Sequence, residues 1–452
     1  MRAQAEIFRA YDIRGKVGAN LDEETAVGIG KAFGTRVHGE GGRRVAVGRD
    51  NRLSSDAMRD ALVEGLLSTG CDVTDIGLAT SPLLYHAVAE HGFDAGINVS
   101  GSHNPPDENG FKLVGKGARP IAGDEIHDLY RAIIAGDFAT GQGRRTQMSV
   151  TSSYFEYVRR HIGPLQPFTV VVDTGNGVAG KFYPEFLGSL GCNVVEQHCD
   201  LDGHFPNHPP DPQMPENVRD VQEKVREERA DIGLAFDGDG DRLGVIDDAG
   251  ERHEADYIVL LLARDVLHAF PSSEIVLDMK TSQGVIDAIA AAGGRPLLWK
   301  TGHSLIKLKM RQIHALLGGE ASGHMFYAEN HFLDDALWAA AKLLAYLTWR
   351  RSSVRLELAD VAPWYATPEL RVPCRDEVKE AVVQRVAARY SKLPSLSIDG
   401  IRVQFPDGWG LVRASNTGPN LTLRFEAKSP ARRDEIEADM TAAVRAELNV
   451  NG

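Results

Sequence analysis

One pattern, repeated three times along the chain, limits the fold more than any other feature of the sequence. An apolar strand that ends in Asp is followed by a helix, then by a Gly where the helix should stop, and then by a second strand. The strands lie at residues 45–50, 170–173 and 275–278, and the glycines are Gly70, Gly191 and Gly293. Glycine at such a position suits a left-handed helix cap. Three strand–helix–strand units of one design predict three similar α/β domains with mixed, mainly parallel sheets.

The last part of the chain follows a different pattern. Strand-like segments at residues 401–405, 410–413 and 421–425 alternate with short turns, and an amphipathic helix over residues 430–448 follows them. These features predict a smaller C-terminal α+β domain. Stretches that are polar or contain Gly or Pro separate the parts, so the expected domains are residues 1–148, 149–250, 251–364 and 365–452.

Composition narrows the class of protein. The chain has 452 residues, of which 43% are hydrophobic and 25% charged, and its net charge of −13 disfavours a nucleic acid or an anionic membrane as a partner. The most apolar run, residues 257–263, is too short to span a bilayer, and the N-terminus carries no apolar signal core. The four cysteines are few for this length and show no zinc-binding spacing, which favours buried thiols in a reducing compartment. We therefore expect a cytoplasmic protein that binds neither nucleic acid nor membrane.

A candidate nucleophile lies in the loop at residues 101–108, which reads Gly-Ser-His-Asn-Pro-Pro-Asp-Glu. The preceding residues 93–100 are predicted to form a buried strand, so Ser102 should lie just past a strand's carboxyl end, where open α/β sheets bind ligands. Its neighbours are Gly101 and His103. Taken alone, the loop is also typical of a turn in which Asn and Pro serve the backbone conformation. The other motifs of the chain favour the nucleophile.

A candidate metal site follows the predicted strand at residues 231–236. Asp237, Asp239 and Asp241 alternate with glycine and are followed by Arg242. Carboxylates at this spacing can converge on one small hard cation, Mg²⁺ or Ca²⁺, and would repel one another without it. The calcium-loop interpretation fails because Arg242 stands where that loop needs glycine and a strand precedes the motif. A solvated acidic turn is the alternative.

A candidate sugar-binding loop lies at residues 318–324. It offers the carboxylate of Glu320, the hydroxyl of Ser322 and the imidazole of His324 among small residues. Such groups suit the neighbouring hydroxyls of a sugar, although a glycine-rich turn would look the same. The segment at residues 300–304, which contains His303, is equally ambiguous.

A candidate phosphate-binding loop lies between two predicted strands of the last domain. Arg413, Ser415, Asn416 and Thr417 offer one guanidinium, two hydroxyls and an amide. Together with free backbone N–H groups, these would hold a phosphate, with Arg supplying bidentate pairing. A plain hairpin turn is the alternative.

A different function is suggested by residues 175–180, Gly-Asn-Gly-Val-Ala-Gly, which follow a predicted strand. This is a full G-x-G-x-x-G motif, and Glu196 lies near the distance at which a dinucleotide-binding unit places its acidic residue. An NAD-dependent dehydrogenase is therefore an alternative hypothesis. It would leave the serine loop, the aspartates and the phosphate loop without a role.

A displayed serine, a divalent-cation site, a sugar loop and a phosphate loop together predict phosphoryl transfer on a phosphosugar. In this order, and with Phe-Arg-Ala-Tyr-Asp-Ile-Arg-Gly at residues 8–15, the motifs resemble those of the α-D-phosphohexomutases over essentially the whole chain. The resemblance is closest to the bacterial phosphomannomutase/phosphoglucomutase branch. It implies four domains around a central cleft, each contributing one loop, in a monomer or weak homodimer.

The resemblance also implies a reaction. The expected enzyme is an isomerase that moves a phosphoryl group between O6 and O1 of mannose or glucose phosphates. It would act through a phosphoserine and a hexose 1,6-bisphosphate, with Mg²⁺ as cofactor. Phosphoglucosamine mutase is the nearest alternative.

Residue roles follow from the same resemblance. Ser102 would carry the phosphoryl group, and its phosphate would bind Mg²⁺ with Asp237, Asp239 and Asp241. The other expected residues of the transfer site are Arg14, His103, Lys112 and Arg242. The expected substrate-binding residues are Tyr11, Lys280, His303, Glu320, Ser322, His324, Arg413, Ser415, Asn416 and Thr417. Lys112, His303 and His324 remain open as candidates for the general base.

The chain departs from the pattern of the resembled branch in three motifs. Ser100 and Gly101 replace the usual Thr-Ala, which adds a second hydroxyl and predicts a more flexible loop. Gly418 removes one hydroxyl from the phosphate loop, and Ala321 replaces a commonly larger residue in the sugar loop. The choice between mannose, glucose and glucosamine phosphates is therefore left open.

Overall fold

The computed structural model describes residues 3–415 and 418–449. The first sheet has the strand order β1-β5-β4-β2-β3-β7, with β6 beside β5. Its elements, in chain order, are β1 (Ile13–Lys16), α1 (Glu23–Gly39), β2 (Arg44–Arg49), α2 (Ser55–Ser68), β3 (Asp72–Leu78), α3 (Ser81–Glu90), β4 (Ala95–Val99), β5 (Glu108–Gly115), β6 (Arg119–Pro120), α4 (Asp124–Ala135) and β7 (Arg145–Gln147).

The second sheet has the order β12-β11-β10-β8-β9. This part of the chain consists of α5 (Thr151–His161), β8 (Thr169–Asp173), α6 (Tyr183–Ser189), β9 (Asn193–Gln197), α7 (Arg219–Glu228), β10 (Ile232–Phe236), β11 (Leu243–Ile246) and β12 (Arg252–His253).

The third sheet has the order β14-β13-β15-β16-β17. Its part of the chain consists of α8 (Ala255–Ala269), β13 (Glu274–Asp278), α9 (Gln283–Ala291), β14 (Arg295–Trp299), α10 (His303–Ile313), β15 (Leu317–Gly319), β16 (Met325–Tyr327), β17 (Leu333–Asp334), α11 (Ala336–Arg350) and α12 (Val354–Leu358).

The fourth sheet is antiparallel throughout, in the order β18-β23-β22-β21-β20 with β19 beside β23. The elements are β18 (Tyr365–Ala366), β19 (Leu370–Pro373), α13 (Asp376–Arg389), β20 (Ser395–Leu396), β21 (Ile401–Phe405), β22 (Gly408–Ala414), β23 (Asn420–Ala427) and α14 (Pro430–Asn449). The prediction of three α/β domains with mixed sheets and a smaller C-terminal domain is confirmed.

The three α/β sheets share one arrangement of four strands. In each, three parallel strands are followed by an antiparallel one, giving β3-β2-β4-β5, β9-β8-β10-β11 and β14-β13-β15-β16. The turn between the last parallel strand and its antiparallel neighbour carries one predicted site motif in every domain, at residues 100–107, 237–242 and 320–324. Of the fourth motif, Arg413 lies near the end of β22 and Ser415 directly follows that strand, which pairs antiparallel with β23. The first three motifs are therefore hairpin connections.

The repeated Asp and Gly have local structural reasons. The carboxylates of Asp50, Asp173 and Asp278 accept backbone N–H groups from the turn that follows each strand. After the crossover helices α2, α6 and α9 the chain passes through Gly70, Gly191 and Gly293, with φ of 94°, 93° and 85°. The predicted left-handed caps are thus present.

The apolar core is shared by some domains and not by others. One large apolar cluster contains residues from α3, from the second domain and from the third, so these parts pack continuously. The C-terminal domain has its own core and meets the third domain through a small cluster of Met279, Trp409 and Leu411. The four cysteines are buried thiols, as expected. No helix in the described ranges combines the length and apolar character needed to cross a membrane.

Candidate active site

The loop that carries Ser102 is held by buried groups of its own domain. Arg52 donates from Nη2 to the carbonyl oxygens of Ser102, at 2.7 Å, and of Asn104, at 2.6 Å. The hydroxyl of Ser100 donates to Asp50 Oδ2 at 2.8 Å and accepts the N–H of Ser102 at 2.9 Å. Ser102 itself has a φ of 50°, a conformation that few residues other than glycine adopt. The hydroxyl of Ser100 therefore serves the loop's structure, and that of Ser102 is the one presented to the site.

Glycine at position 101 is explained by the approach of Arg52. A Cβ atom there would lie 2.6 Å from Cζ of the Arg52 guanidinium. The ordinary contact distance of such atoms is much longer, so a larger residue would displace the cation from the loop.

Ser102 lies directly against the aspartate triplet. Its Oγ donates to Asp237 Oδ2 at 2.7 Å and lies 3.1 Å from Nδ1 of His103. Asp237, Asp239 and Asp241 are buried and offer one oxygen each within 4.8 Å of one another. The Oδ1 atoms of Asp239 and Asp241 have no hydrogen-bond partner among the described residues. An all-oxygen set with unpaired buried oxygens fits a hard divalent cation such as Mg²⁺.

Lys112, on β5, balances part of the triplet's charge. Its Nζ lies 2.6 Å from Asp239 Oδ2 and 2.5 Å from Asp241 Oδ2. Burial alone would lower the pKa of Lys112, but the carboxylates of Asp239 and Asp241 raise it above its ordinary value. Burial, with the negative charges of Asp239 and Asp241, raises the pKa of Asp237 well above its ordinary value. Lys112 is therefore a fixed ammonium in this arrangement.

Two partly buried arginines border the same region. Arg14 donates from Nη1 to Asn104 Oδ1 at 2.7 Å, and Arg242 donates from Nε to His324 Nε2 at 3.1 Å. Burial, followed by the positive charge of Arg242 and Arg14, lowers the pKa of His103 well below its ordinary value, so its imidazole is neutral. Fixed cations around a small space suit a phosphoryl group that carries negative charge.

Asp334 links the third domain's histidines, although nothing in the sequence singled it out. Its Oδ2 lies 3.4 Å from Nδ1 of His324 and 3.3 Å from Nδ1 of His303, and its Oδ1 accepts from Lys307 Nζ at 2.7 Å. Burial would raise the pKa of Asp334, but Lys307 and both histidines hold it well below its ordinary value. Burial and the charge of Lys307 lower the pKa of His303 to about 4. A charged carboxylate therefore lies behind two imidazoles.

The sugar loop contacts the 300–304 segment. Glu320 Oε1 accepts the N–H of Gly302 at 2.5 Å, and its Oε2 accepts from Ser322 Oγ at 3.3 Å. Burial is the largest cause of the raised pKa of Glu320. Tyr11, from the first domain, packs edge-on against His303 with ring centroids 5.2 Å apart. Residues from three of the predicted motifs thus meet here.

Two cations lie where the third domain meets the fourth. Lys280 pairs with Glu369 at 3.1 Å and is the main cause that lowers the pKa of Glu369 to about 2. Arg413 donates from Nε to Asp399 Oδ2 at 2.9 Å, and the same carboxylate oxygen accepts the N–H of Thr301 at 3.0 Å. Within the described chain, Nη2 of Arg413 is buried without a hydrogen-bond partner.

The remaining residues of the predicted phosphate loop are only partly placed. The carbonyl oxygen of Ser415 accepts from Lys379 Nζ at 2.6 Å. Asn416 and Thr417 lie outside the described residues. Arg413 nevertheless lies close enough to Tyr11 for its charge to lower the pKa of that phenol, an effect smaller than the rise caused by burial. Loops of all four domains are therefore brought to one region.

The G-x-G-x-x-G segment has a packing role. β8 is followed by a 3₁₀ turn at Val178–Lys181, where a dinucleotide site would need the N-terminus of an α-helix. A Cβ at Gly177 would lie 2.8 Å from Cα of Gly238 in the triplet loop, and one at Gly180 would lie 2.1 Å from the carbonyl oxygen of Cys199. The glycines let this loop pack against the triplet loop, which removes the basis of the dehydrogenase hypothesis.

Comparison with known proteins finds the same organisation. Models of the phosphoglucomutase/phosphomannomutase family match in four consecutive parts, described as alpha/beta/alpha domains I, II and III and a C-terminal domain, at residues 5–140, 152–250, 254–363 and 369–443. The phosphomannomutase/phosphoglucomutase of Pseudomonas aeruginosa is 44% identical over 436 residues, which cover 96% of this chain and 94% of that protein. The phosphoglucomutase of Neisseria gonorrhoeae is 39% identical over 447 residues, covering 97% and 96%. A crystal structure of a phosphoglucomutase/phosphomannomutase family protein from Burkholderia thailandensis has a TM-score of 0.93 at 41% identity and covers 99% of this chain and 98% of that one.

Proposed function

The chain belongs to the phosphoglucomutase/phosphomannomutase family, and on that premise we propose how it acts as a hexose phosphate mutase, an isomerase. The reaction is reversible transfer of a phosphoryl group between O6 and O1 of mannose or glucose phosphates. One observation carries the proposal. The Ser102 hydroxyl lies 2.7 Å from Asp237, among three buried carboxylates and the fixed cations of Lys112, Arg14 and Arg242.

Ser102 is the phosphoryl carrier in this mechanism. In the first half-reaction the bond between phosphorus and Ser102 Oγ breaks, and a bond from phosphorus to the free hydroxyl oxygen of the substrate forms. The hydroxyl proton passes to a general base, and the product is a hexose 1,6-bisphosphate. After the bisphosphate reverses its orientation, the other phosphoryl group moves to Ser102 Oγ and the proton returns to the sugar oxygen. Arg14, Arg242 and Lys112 hold the phosphoryl oxygens throughout.

Asp237, Asp239 and Asp241, with a phosphate oxygen on Ser102, would hold Mg²⁺. Bound there, the ion neutralises charge on the phosphoryl group. The unpaired buried oxygens of Asp239 and Asp241 support this assignment.

His324 is the general base that the geometry favours. Lys112 is held as an ammonium by two carboxylates, so it has no free lone pair. Nδ1 of His324 faces Asp334 at 3.4 Å and Asp241 at 3.6 Å, which places its proton on that side. Its Nε2 then carries the lone pair, which accepts from Arg242. Arg242 would have to turn to a phosphoryl oxygen before this nitrogen takes the proton. A base oriented by a carboxylate in this way is a common catalytic arrangement.

The third and fourth domains bind the rest of the substrate. Glu320 accepts hydrogen bonds from sugar hydroxyls, and Ser322 donates to them. Lys280 and His303, together with Tyr11 of the first domain, complete the pocket. Arg413, Ser415, Asn416 and Thr417 hold the phosphate that does not react. The unpartnered Nη2 of Arg413 supports that role.

Turnover of mannose 1-phosphate, glucose 1-phosphate and glucosamine 1-phosphate should be measured side by side with a hexose 1,6-bisphosphate activator. We expect the first two to react and chelation of Mg²⁺ to abolish turnover. Preference for glucosamine 1-phosphate would instead identify a phosphoglucosamine mutase. Full activity after chelation would contradict the metal assignment.

We further propose that the enzyme works in the cytoplasm as a monomer or weak homodimer. Four buried free thiols support a reducing compartment. Sedimentation velocity over a range of concentrations tests the oligomeric state.

A further inference from the structure

A second group of potential metal ligands lies in the second domain, apart from the aspartate triplet. Asp173 ends β8, His198 follows β9, and His208 lies in the connection to α7. Each offers one ligand atom, and these atoms lie within 4.8 Å of one another. The side chain of Asp173 is 1% exposed, and those of His198 and His208 are 16% and 14% exposed. None of the three has a role in the mechanism above.

The spacing of Asp173 and His208 suits two ligands of one ion. Asp173 Oδ2 and His208 Nε2 are 3.3 Å apart. Zinc bonds to nitrogen and oxygen are about 2.1 Å long, so two ligands at tetrahedral angles lie about 3.4 Å apart. The two atoms therefore need no movement to share a tetrahedral ion.

The protonation of His208 also fits a ligand. Its Nδ1 lies 2.9 Å from the carbonyl oxygen of Pro209, which can only accept, so Nδ1 carries a proton. Nε2 then faces the carboxylate of Asp173. Metal-binding histidines typically donate their other nitrogen to a backbone carbonyl in this manner. A proton on Nε2 satisfies this pair, and a divalent ion would displace that proton.

His198 completes the group from a fixed backbone. Its φ is 49°, and its carbonyl oxygen accepts the N–H of Asn176 at 2.7 Å and the hydroxyl of Thr174 at 3.1 Å. Its ring is edge-on to that of His208, with centroids 5.4 Å apart. His198 Nε2 lies 2.9 Å from Asp220 Oδ2, whose side chain is 53% exposed. Asp220 therefore lies beside the group on its solvent side, in contact with His198.

We propose that Asp173, His198 and His208 bind a divalent transition-metal ion, with Asp220 or water as the fourth ligand and Zn²⁺ as the preferred ion. Two imidazoles favour zinc over Mg²⁺, whereas the aspartate triplet offers only oxygen. Two carboxylates also balance the charge of a divalent ion.

The proposed site lies next to a segment that contacts the triplet loop. Pro210, two residues after His208, accepts the N–H of Gly238 from the triplet loop at 3.2 Å. An ion on His208 would fix the segment that supports the triplet loop. Binding should therefore raise the thermal stability of the protein.

The test uses the full chain without a histidine tag, in saturating Mg²⁺, with Zn²⁺ added in a calorimeter and Co²⁺ followed by its visible absorption. We expect one equivalent of Zn²⁺ to bind, a rise in melting temperature, and a tetrahedral Co²⁺ spectrum. His198→Gln and His208→Gln should each weaken Zn²⁺ binding by about tenfold or more, with circular dichroism checking their folding. His204→Gln is the matched control, because His204 lies in the same segment but is 69% exposed and pairs with Asp202.

Two results would overturn the proposal. One is a wild-type protein that binds no Zn²⁺ in the presence of Mg²⁺. The other is an ion that is lost in Asp239→Asn but retained in both His198→Gln and His208→Gln, since it would then belong to the triplet. Neither result depends on mutase activity, so failure here is distinguishable from failure of the proposed mechanism.

Discussion

The guanidinium of Arg402 lies over the indole of Trp409, with its Cζ 3.8 Å from the ring centroid. Both side chains are buried, and Arg402 also donates to the carbonyl oxygens of Met279, at 2.9 Å, and Thr281, at 2.8 Å. Arg402 belongs to the fourth domain and these carbonyls to the third. One buried cation therefore joins the two domains to which we assign binding of the distal part of the substrate.

Replacing Arg402 by Leu should destabilise this junction. Two buried carbonyl groups would lose their donors and the stacking would be lost, which together cost about 2–4 kcal/mol in the free energy of unfolding. Urea denaturation measures the change. Arg432→Leu is the matched control, since Arg432 lies 5.7 Å from the ring of Phe405 on the surface of the same domain and should cost less than about 0.5 kcal/mol. Equal losses in both variants would contradict the role given to Arg402.

Ser102→Ala should abolish phosphorylation of the protein, because the hydroxyl of Ser102 lies against Asp237 whereas that of Ser100 donates to Asp50. Ser100→Ala should keep phosphate at position 102 but lower turnover, because the N–H of Ser102 loses its acceptor. Peptide mass mapping after incubation with the bisphosphate locates the modification. A phosphopeptide assigned to Ser100 would contradict this account.

His324→Gln should lower the rate of phosphoryl transfer by about 10²–10⁴-fold if His324 is the general base. The basic nitrogen is removed, while the longer Gln amide can still reach the position of Nε2 and accept from Arg242. Single-turnover transfer from phosphorylated enzyme separates this step from substrate binding. His331→Gln is the control, because His331 pairs with Glu90 and has no part in the proposed mechanism. If His303→Gln lost the transfer rate and His324→Gln kept it, His303 would be the base instead.

Arg413→Ala should slow the forward and reverse reactions alike. One loop must hold either phosphate in turn, so its loss should also release bisphosphate before reversal is complete. Both directions and the free bisphosphate formed per turnover would be measured. A defect confined to one direction, without added release, would mean that the loop recognises a single orientation.

The free energy of unfolding should fall as pH rises, because the buried carboxyl of Asp256 is protonated in the folded protein. Burial raises the pKa of this carboxyl from 3.8 to about 6, although Arg424 and the N–H of Ser282 oppose the shift. The folded protein therefore holds a proton that the unfolded chain releases, and the resulting stability is lost as pH increases from about 4 to about 6. The loss is of the order of 2–3 kcal/mol. Chemical denaturation at several pH values should show this slope in the wild type and a shallower one in Asp256→Asn; equal slopes would contradict the assignment.

Local patterns predicted the domains, because the strand-ending Asp and the helix-ending Gly act within a few residues of their own positions. That Ser102 and the triplet lie close together was expected only from the resemblance to the phosphohexomutases. The antiparallel strands β5, β11 and β16 were less visible, and β16 has only three residues. A strand that short carries no readable alternation.

The residues that sequence reasoning missed act at long range. Arg52 holds a loop 50 positions away, and Lys307 pairs with Asp334 across 27 positions. A lone arginine after a strand or a lone lysine in a helix is ordinary in any soluble protein, so neither had a local signal. The repeated Asp at position 50 was noticed, but its partner Ser100 could be found only in three dimensions.

The hairpin turns of the three α/β domains divide the proposed chemistry among copies of one structural position. The first copy supplies the nucleophile, the second the cation ligands and the third the contacts to the sugar ring. In this proposal no single unit contains all the groups that the reaction needs, so activity depends on how the units are arranged. Repeated copying of one ancestral unit, with later change concentrated in its turn, would leave this layout behind.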